Sequence, residues 1–202
     1  MNDASLLGAP LFTGPELDHA CSARLVELER AVERSRLLGA QEALVLLRAS
    51  FSAPRVHLLR CSPSVEHEAL DTFDSILRSA VCKITNCSLP DNKWIQAGLQ
   101  IRDGGLGIRR VSSLALPAFL ASAAGSLPLP VIILSNVALQ PDIFIASYLP
   151  RWSAMFGSLP PNQPLSGKQS FWDRPGILAD KAMVEATLSN EHEKASFSQH
   201  QL

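Results

Sequence analysis

Apolar residues fall on a helical period over much of the chain. Leu17, Cys21, Leu25, Leu28 and Val32 are spaced by four, four, three and four, which lines one face of a helix over 16–38. The opposite face carries Glu27, Arg30, Glu33, Arg34 and Arg36. There Glu27/Arg30 and Glu33/Arg36 are spaced for weak surface pairing of ~0.3 kcal/mol each. Gly39 is placed to cap the C-terminus, and a second helix is expected over 40–51. Pro54 lacks an N–H and interrupts it, and 55–61 reads as a short further helix. Ser62-Pro63 is an N-cap and first-turn pair. It is expected to open a helix running to Thr85 with Val65, Ala69, Phe73, Leu77, Ala80 and Ile84 inward. Asp91 is expected to cap a short helix holding Trp94, Ile95 and Ala97. Ser112 or Ser113 is expected to cap the next, running to Ala124, with Pro117 in its first turn where a missing N–H costs least.

The pattern is weaker at both ends. Residues 5–12 (SLLGAPLF) read as a short strand or extended lead-in, stopped by Gly14-Pro15. Beyond Gly125 the prolines thicken at Pro128, Pro130 and Pro141, and 143–156 is the best helix there. Residues 157–175 (GSLPPNQPLSGKQSFWDRP) read as a long loop, followed by a helix over 177–188 and a polar tail. The fold class is therefore mainly α: a helical, bundle-like domain with a looser, Pro-rich C-terminal third. The expected divisions are an extended lead-in at 1–14, a helical domain at 15–125, short helices and a Pro/Gly-rich loop at 126–190, and a tail at 191–202. No internal repeat stands out.

Composition supports a folded chain and narrows its partners. Of 202 residues, 47% are hydrophobic, enough for a core, and the net charge is −1, so any basic surface must be local. The N-terminus has no basic region followed by a long apolar run, so no secretory signal is expected. The apolar stretch PVIILSNVAL falls far short of the ~18 residues a membrane span needs. The expectation is a soluble intracellular protein, nuclear or cytoplasmic, with no membrane partner. Cys21, Cys61, Cys82 and Cys87 are then expected as free thiols rather than a disulfide framework.

Familiar catalytic patterns are missing. There is no G-x-S-x-G, H-E-x-x-H or C-x-x-C. SGKQS at 166–170 resembles part of a phosphate loop, but it lacks the earlier glycine, and Gln169 stands where Ser or Thr should follow the lysine. His57, Cys61, Cys82 and Cys87 could in principle form a tetrahedral zinc site, but their spacing is not that of a known zinc knuckle, and small apolar thiols on packed helix faces are the simpler reading. The acids Asp71, Asp74, Asp91 and Asp103 are scattered, whereas a polymerase or nuclease needs carboxylates holding metals ~4 Å apart. No catalytic residue, metal site, cofactor or small-molecule substrate is expected.

The most distinctive stretch is IRDGGLGIRR, residues 101–110. Its glycines do not fit G-x-G-x-x-G and no strand–loop–helix frame surrounds them. A glycine turn between the Trp94 helix and the Ser112 helix is the expectation.

The run QEALVLLRASFSAPRVHLLRCSPSV, followed by FDSILRSAVCKITNCSLPDNKWIQAGLQIRDGGLGIRRVSSLALPAFLASAAGS, resembles the reverse transcriptases of non-LTR retrotransposons (LINE-like elements). It is similar to the segment that follows their catalytic palm. LLGAPLF at 6–12 resembles the strand that closes the palm, and 167–188 resembles later sequence in some elements. Residues Trp94 to Arg110 carry the most specific part. The paired-aspartate motif of the family's catalytic centre does not occur in this chain, nor does the cysteine motif found further on in many such elements. The resemblance implies a thumb-like helical region that holds a template–primer duplex and does no phosphoryl chemistry.

Two readings of function follow. One is a non-catalytic reverse transcriptase fragment, a thumb-like module with at most weak binding to an RNA–DNA or DNA duplex. Its candidate contacts are Arg102, Arg109 and Arg110 around the glycines, Arg55 and Arg60 in a loosely basic run, and Trp94 as a base-stacking ring. The alternative is a helical interaction or scaffold domain with no nucleic-acid role. On it these arginines are solvated or pair with local acids, and Trp94 is core.

Overall fold

The computed structural model describes residues 5–6, 9–10, 13–51, 57–62, 65–126, 129, 142–162, 165–190, 194 and 197. It is mainly helical. Among the described residues the α-helices are α1 (Pro15–Ser35), α2 (Ala40–Leu46), α3 (Ala69–Thr85), α4 (Asp91–Gly98), α5 (Val111–Ser126), α6 (Asp142–Phe156) and α7 (Gln169–Thr187). Ser5–Leu6 pairs antiparallel with Ala9–Pro10 within the expected lead-in. The chain separates into two compact units. One comprises Met1–Leu17, His57–Val65 and Ser113–Gly176; the other comprises Asp18–Val56, Glu66–Ser112 and Ile177–Leu202.

In the first unit the core is aromatic. Trp152 of α6 and Trp172 of α7 are each 1% exposed and meet edge to face, their ring centroids 5.1 Å apart. Leu116, Leu120, Ala121 and Ala124 of α5 complete the cluster. Each indole N–H finds a backbone carbonyl, Trp152 on Trp172 at 3.3 Å and Trp172 on Ser166 at 2.6 Å, as buried indoles require. Every residue of α5 from Leu114 to Ala121 is buried, which explains why its sequence is apolar all round rather than striped.

In the second unit, α3 turns Phe73, Leu77, Ala80 and Val81 inward and leaves Asp71, Thr72 and Ser75 outside. It packs against α2, which contributes Ala43, while the wider π turn that continues α2 over Leu47–Phe51 contributes Leu47. A second cluster joins Leu99, Val184 and Phe197.

Several sequence expectations need correction. Gly39 has φ −63° and ψ 153°, an extended conformation open to any residue, and its carbonyl opens α2 by accepting from Ala43. It does not cap α1. Helix α3 starts at Ala69, not at Ser62-Pro63. Ser62 is buried, and its hydroxyl is spent on the carbonyl of Pro10; Pro63 lies outside the described residues. The first turn of α3 is instead met by His67, whose Nδ1 accepts from the Ala69 amide at 3.1 Å. The other ring nitrogen, Nε2, stands 3.0 Å from a carboxylate oxygen of Asp18. Of the helix expected over 55–61, the described part His57–Arg60 is a tighter 3₁₀ turn, and 55–56 lie outside the described residues. Pro117 stands inside α5 as its seventh residue, not in the first turn.

The expected loop over 157–175 ends early. Helix α7 begins at Gln169 and runs through Pro175, because burying Trp172 and Asp173 fixes this segment before the proline is reached. The polar tail is also not wholly solvated: Phe197 is 5% exposed and packs with Leu99 and Val184.

Candidate nucleic-acid interface

Residues 99–110 link α4 to α5, and their geometry decides what the glycine run can do. Ile101–Asp103 forms a 3₁₀ turn, and Gly104 and Gly107 have φ of 79° and 73°, a region L side chains resist. Gly105 is required for a different reason: a Cβ there would lie 2.1 Å from the Leu99 carbonyl oxygen and 2.6 Å from that of Gln96.

The loop folds back onto the end of α4 and spends its own amides there. The N–H groups of Leu106 and Ile108 both donate to the Ala97 carbonyl, at 3.1 and 3.2 Å, and that of Gly107 donates to Leu99 at 2.8 Å. Asp103 and Gly105 donate to Gln100, and Gly104 to Ile101. The Gln96 side chain reaches the Gly104 carbonyl at 3.2 Å. Six consecutive amides, 103 to 108, therefore point into the chain. A phosphate cradle needs them pointing out, so this loop is a helix terminator.

The arginines around it differ sharply. The Arg102 side chain is 78% exposed, with Nε 3.8 Å from Asp103, too long for a hydrogen bond. Arg109 is half-buried and has a partner of its own. Arg110 is committed: its Nη2 sits 2.8 and 2.6 Å from the two oxygens of Asp180 on α7, both side chains being largely covered. Its stem also lies over the open side of Gly98. Trp94 is 7% exposed, so its ring offers no face to a base. Arg60 is exposed but belongs to the other unit, and Arg55 lies outside the described residues. Of the candidates around the glycines, Arg110 is bound to Asp180 and Trp94 is buried. Arg102 is the cation left to solvent beside the glycines.

Asp74 and Arg78, on α3, organise this region, and neither was singled out as a site residue from the sequence. Asp74 accepts from the Val111 amide at 2.7 Å, the Ser112 amide at 3.1 Å and the Ser112 hydroxyl at 2.6 Å. It therefore caps α5 from another helix, the role expected of Ser112 or Ser113 themselves. Burial pushes its carboxyl above the usual aspartate range, opposed by those hydrogen bonds and by Arg110 nearby. Arg78 holds the Leu89 carbonyl with Nε at 2.9 Å and Asp91 with Nη1 at 2.8 Å. Asp91 is the first residue of α4, not its cap, which is Pro90 without a side-chain bond. The legible signal for Asp74 was its place among Leu70, Leu77 and Val81 on an apolar face, where an acid must have donors.

Among the described residues no group of three or more His, Cys, Asp or Glu side chains converges, and no helix is long and apolar enough to cross a membrane. The four thiols are unpaired, Cys21 buried, Cys82 half-buried and Cys61 and Cys87 exposed. Comparison with protein-family models, with characterised proteins and with solved structures finds no match to this chain.

Proposed function

We propose that the chain is a non-catalytic helical module akin to the thumb-like segment behind the palm of LINE-like reverse transcriptases, with at most weak affinity for a template–primer duplex. The sequence run from Trp94 to Arg110 supports this reading, and a mainly helical chain agrees with it. One observation shapes its chemistry: the amides of 103–108 are consumed within the chain while Arg102 projects into solvent. Duplex contact then runs through arginine side chains, and so few phosphate contacts give weak, salt-sensitive binding. Primer extension on a poly(A) template with Mg²⁺ or Mn²⁺ is expected to yield no product; product would refute the non-catalytic reading. A mobility shift with an RNA–DNA duplex at low salt is expected to weaken in Arg102→Ala. Arg110→Ala is the poorer probe, because it breaks the Asp180 pair as well.

A second reading, a helical interaction domain without a nucleic-acid role, is favoured by a separate observation. Around the end of α1 and along α2, large apolar side chains stand in solvent: Leu37 is 88% exposed, Val45 53% and Leu38 45%. A lone exposed leucine means little, but a contiguous set marks a binding surface. Concentration-dependent light scattering, together with capture of a helical peptide, tests it.

A further inference from the structure

The exposed leucines border a groove. It lies within the second unit, between the last turns of α1 and the segment made by α2 and its π turn, and encloses about 430 Å³. Leu28 forms its floor and is 3% exposed, while Leu37, Leu38 and Leu46 form its walls. Phe51 reaches the groove from the end of the π turn. A π turn widens the helix and re-aims the residues that follow it, and such turns recur at functional sites. The lining is apolar and open, the shape that receives the face of an amphipathic helix.

The rim carries a sign. Arg24, Glu27, Arg30 and Arg34 border the groove. Arg24 and Glu27 neutralise one another at 2.6 Å. Arg30 and Arg34 stand one helical turn apart, both exposed and neither with an ion-pair partner among the described residues. An apolar trough edged by two uncompensated arginines complements an apolar stripe edged by carboxylates.

We infer that this groove binds an acidic amphipathic helix of another protein, whose leucine-type side chains enter between Leu37 and Leu46 and whose carboxylates meet Arg30 and Arg34. The inference rests on the interaction-domain reading and names the surface and its partner chemistry. It is independent of the glycine loop and of Arg102.

The test uses the full chain and a fluorescent synthetic helix with leucines at i, i+3, i+4 and i+7 and glutamates flanking them. Two control peptides keep its composition but scramble the leucine spacing, or replace the glutamates by lysines. Fluorescence anisotropy is expected to show saturable binding of the acidic helix, at least ~10-fold weaker for either control. Arg30→Glu/Arg34→Glu is expected to weaken the acidic helix at least ~10-fold and to strengthen the lysine helix. Both arginines are exposed, so the fold survives; unchanged circular dichroism checks this. Leu37→Ser, at an exposed position, is expected to weaken both peptides. Equal binding of the scrambled peptide, or indifference to the charge reversal, overturns the proposal. If the chain instead dimerises in a way that Leu37→Ser abolishes, the occupant is a second copy, and the interaction-domain reading stands without the acidic helix. If Arg30→Glu/Arg34→Glu abolishes duplex binding and leaves peptide binding untouched, the arginines serve nucleic acid and the proposal falls. A folded chain that neither dimerises nor binds any peptide overturns both the proposal and the reading beneath it.

Discussion

The carboxylate of Asp74, on α3, accepts the backbone N–H of Val111 at 2.7 Å and so caps α5 across 37 positions of sequence. A helix start exposes N–H groups that need acceptors, and here the acceptor comes from a different helix. One buried side chain therefore holds the first two residues of α5, Val111 and Ser112.

Removing that acceptor should be costly. Asp74→Ala is expected to destabilise the chain by about 2–3 kcal/mol, because two amides and a hydroxyl lose a buried partner. Urea unfolding followed by circular dichroism measures it; a loss below about 0.5 kcal/mol would count against the cap. Asp74→Asn isolates the charge. Because burial raises the folded pKa above its ordinary 3.8, the folded chain binds more protons than the unfolded one between those two values. Stability from this group is then full below pH 3.8 and falls as pH rises through that window. The advantage of wild type over Asp74→Asn should narrow with rising pH; widening would show that the hydrogen bonds outweigh burial.

Gly105→Ala is expected to destabilise by about 1–3 kcal/mol, since its methyl would meet the Leu99 and Gln96 carbonyls, which are backbone and cannot swing aside. Alanine normally stabilises relative to glycine by restricting the unfolded chain, so the sign itself is informative. Thermal melting of the variant checks it.

The Arg110–Asp180 pair ties the end of the glycine loop to α7. A double-mutant cycle with Arg110→Ala and Asp180→Ala is expected to give a coupling of about 1 kcal/mol, above the usual exposed pair because both side chains are largely covered. A coupling near zero would return Arg110 to the pool of available cations and revive it as a phosphate contact.

The thiols should separate by reactivity. Burial, with Asp18 adding to it, pushes Cys21 from 9.0 up to about 11, and only the thiolate reacts. With a disulfide reagent at pH 8, Cys61 and Cys87 should react fast, half-buried Cys82 more slowly, and Cys21 only on unfolding. Fast modification of Cys21 in the folded chain would contradict its burial.

In the first unit, Trp172→Ala is expected to cost about 3–5 kcal/mol, through lost packing on Trp152 and an orphaned Ser166 carbonyl. Trp172→Phe should lose less, keeping the ring while dropping the N–H. Denaturant unfolding of the two variants reads the difference.

Local pattern alone carried the helices that have a face. The stripe Phe73, Leu77, Ala80 follows from period 3.6, as do the face of α1 and the short helix holding Trp94 and Ala97, because one-sided burial writes itself into spacing. The turn nature of 101–110 was equally legible, since clustered glycines allow backbone angles that other residues resist. What tertiary structure decided was the partner of each polar group. Ser62 looked like a cap and was taken by Pro10; Ser112 looked like a cap and became a donor to Asp74. Arg110 looked like a phosphate contact and found Asp180, seventy positions on. Trp172 sat in an apparent loop and became core once Trp152 came to meet it. Spacing along a chain encodes which side is buried. It does not encode which distant donor, acceptor or ring arrives there, and that choice separates a solvated arginine from a structural one.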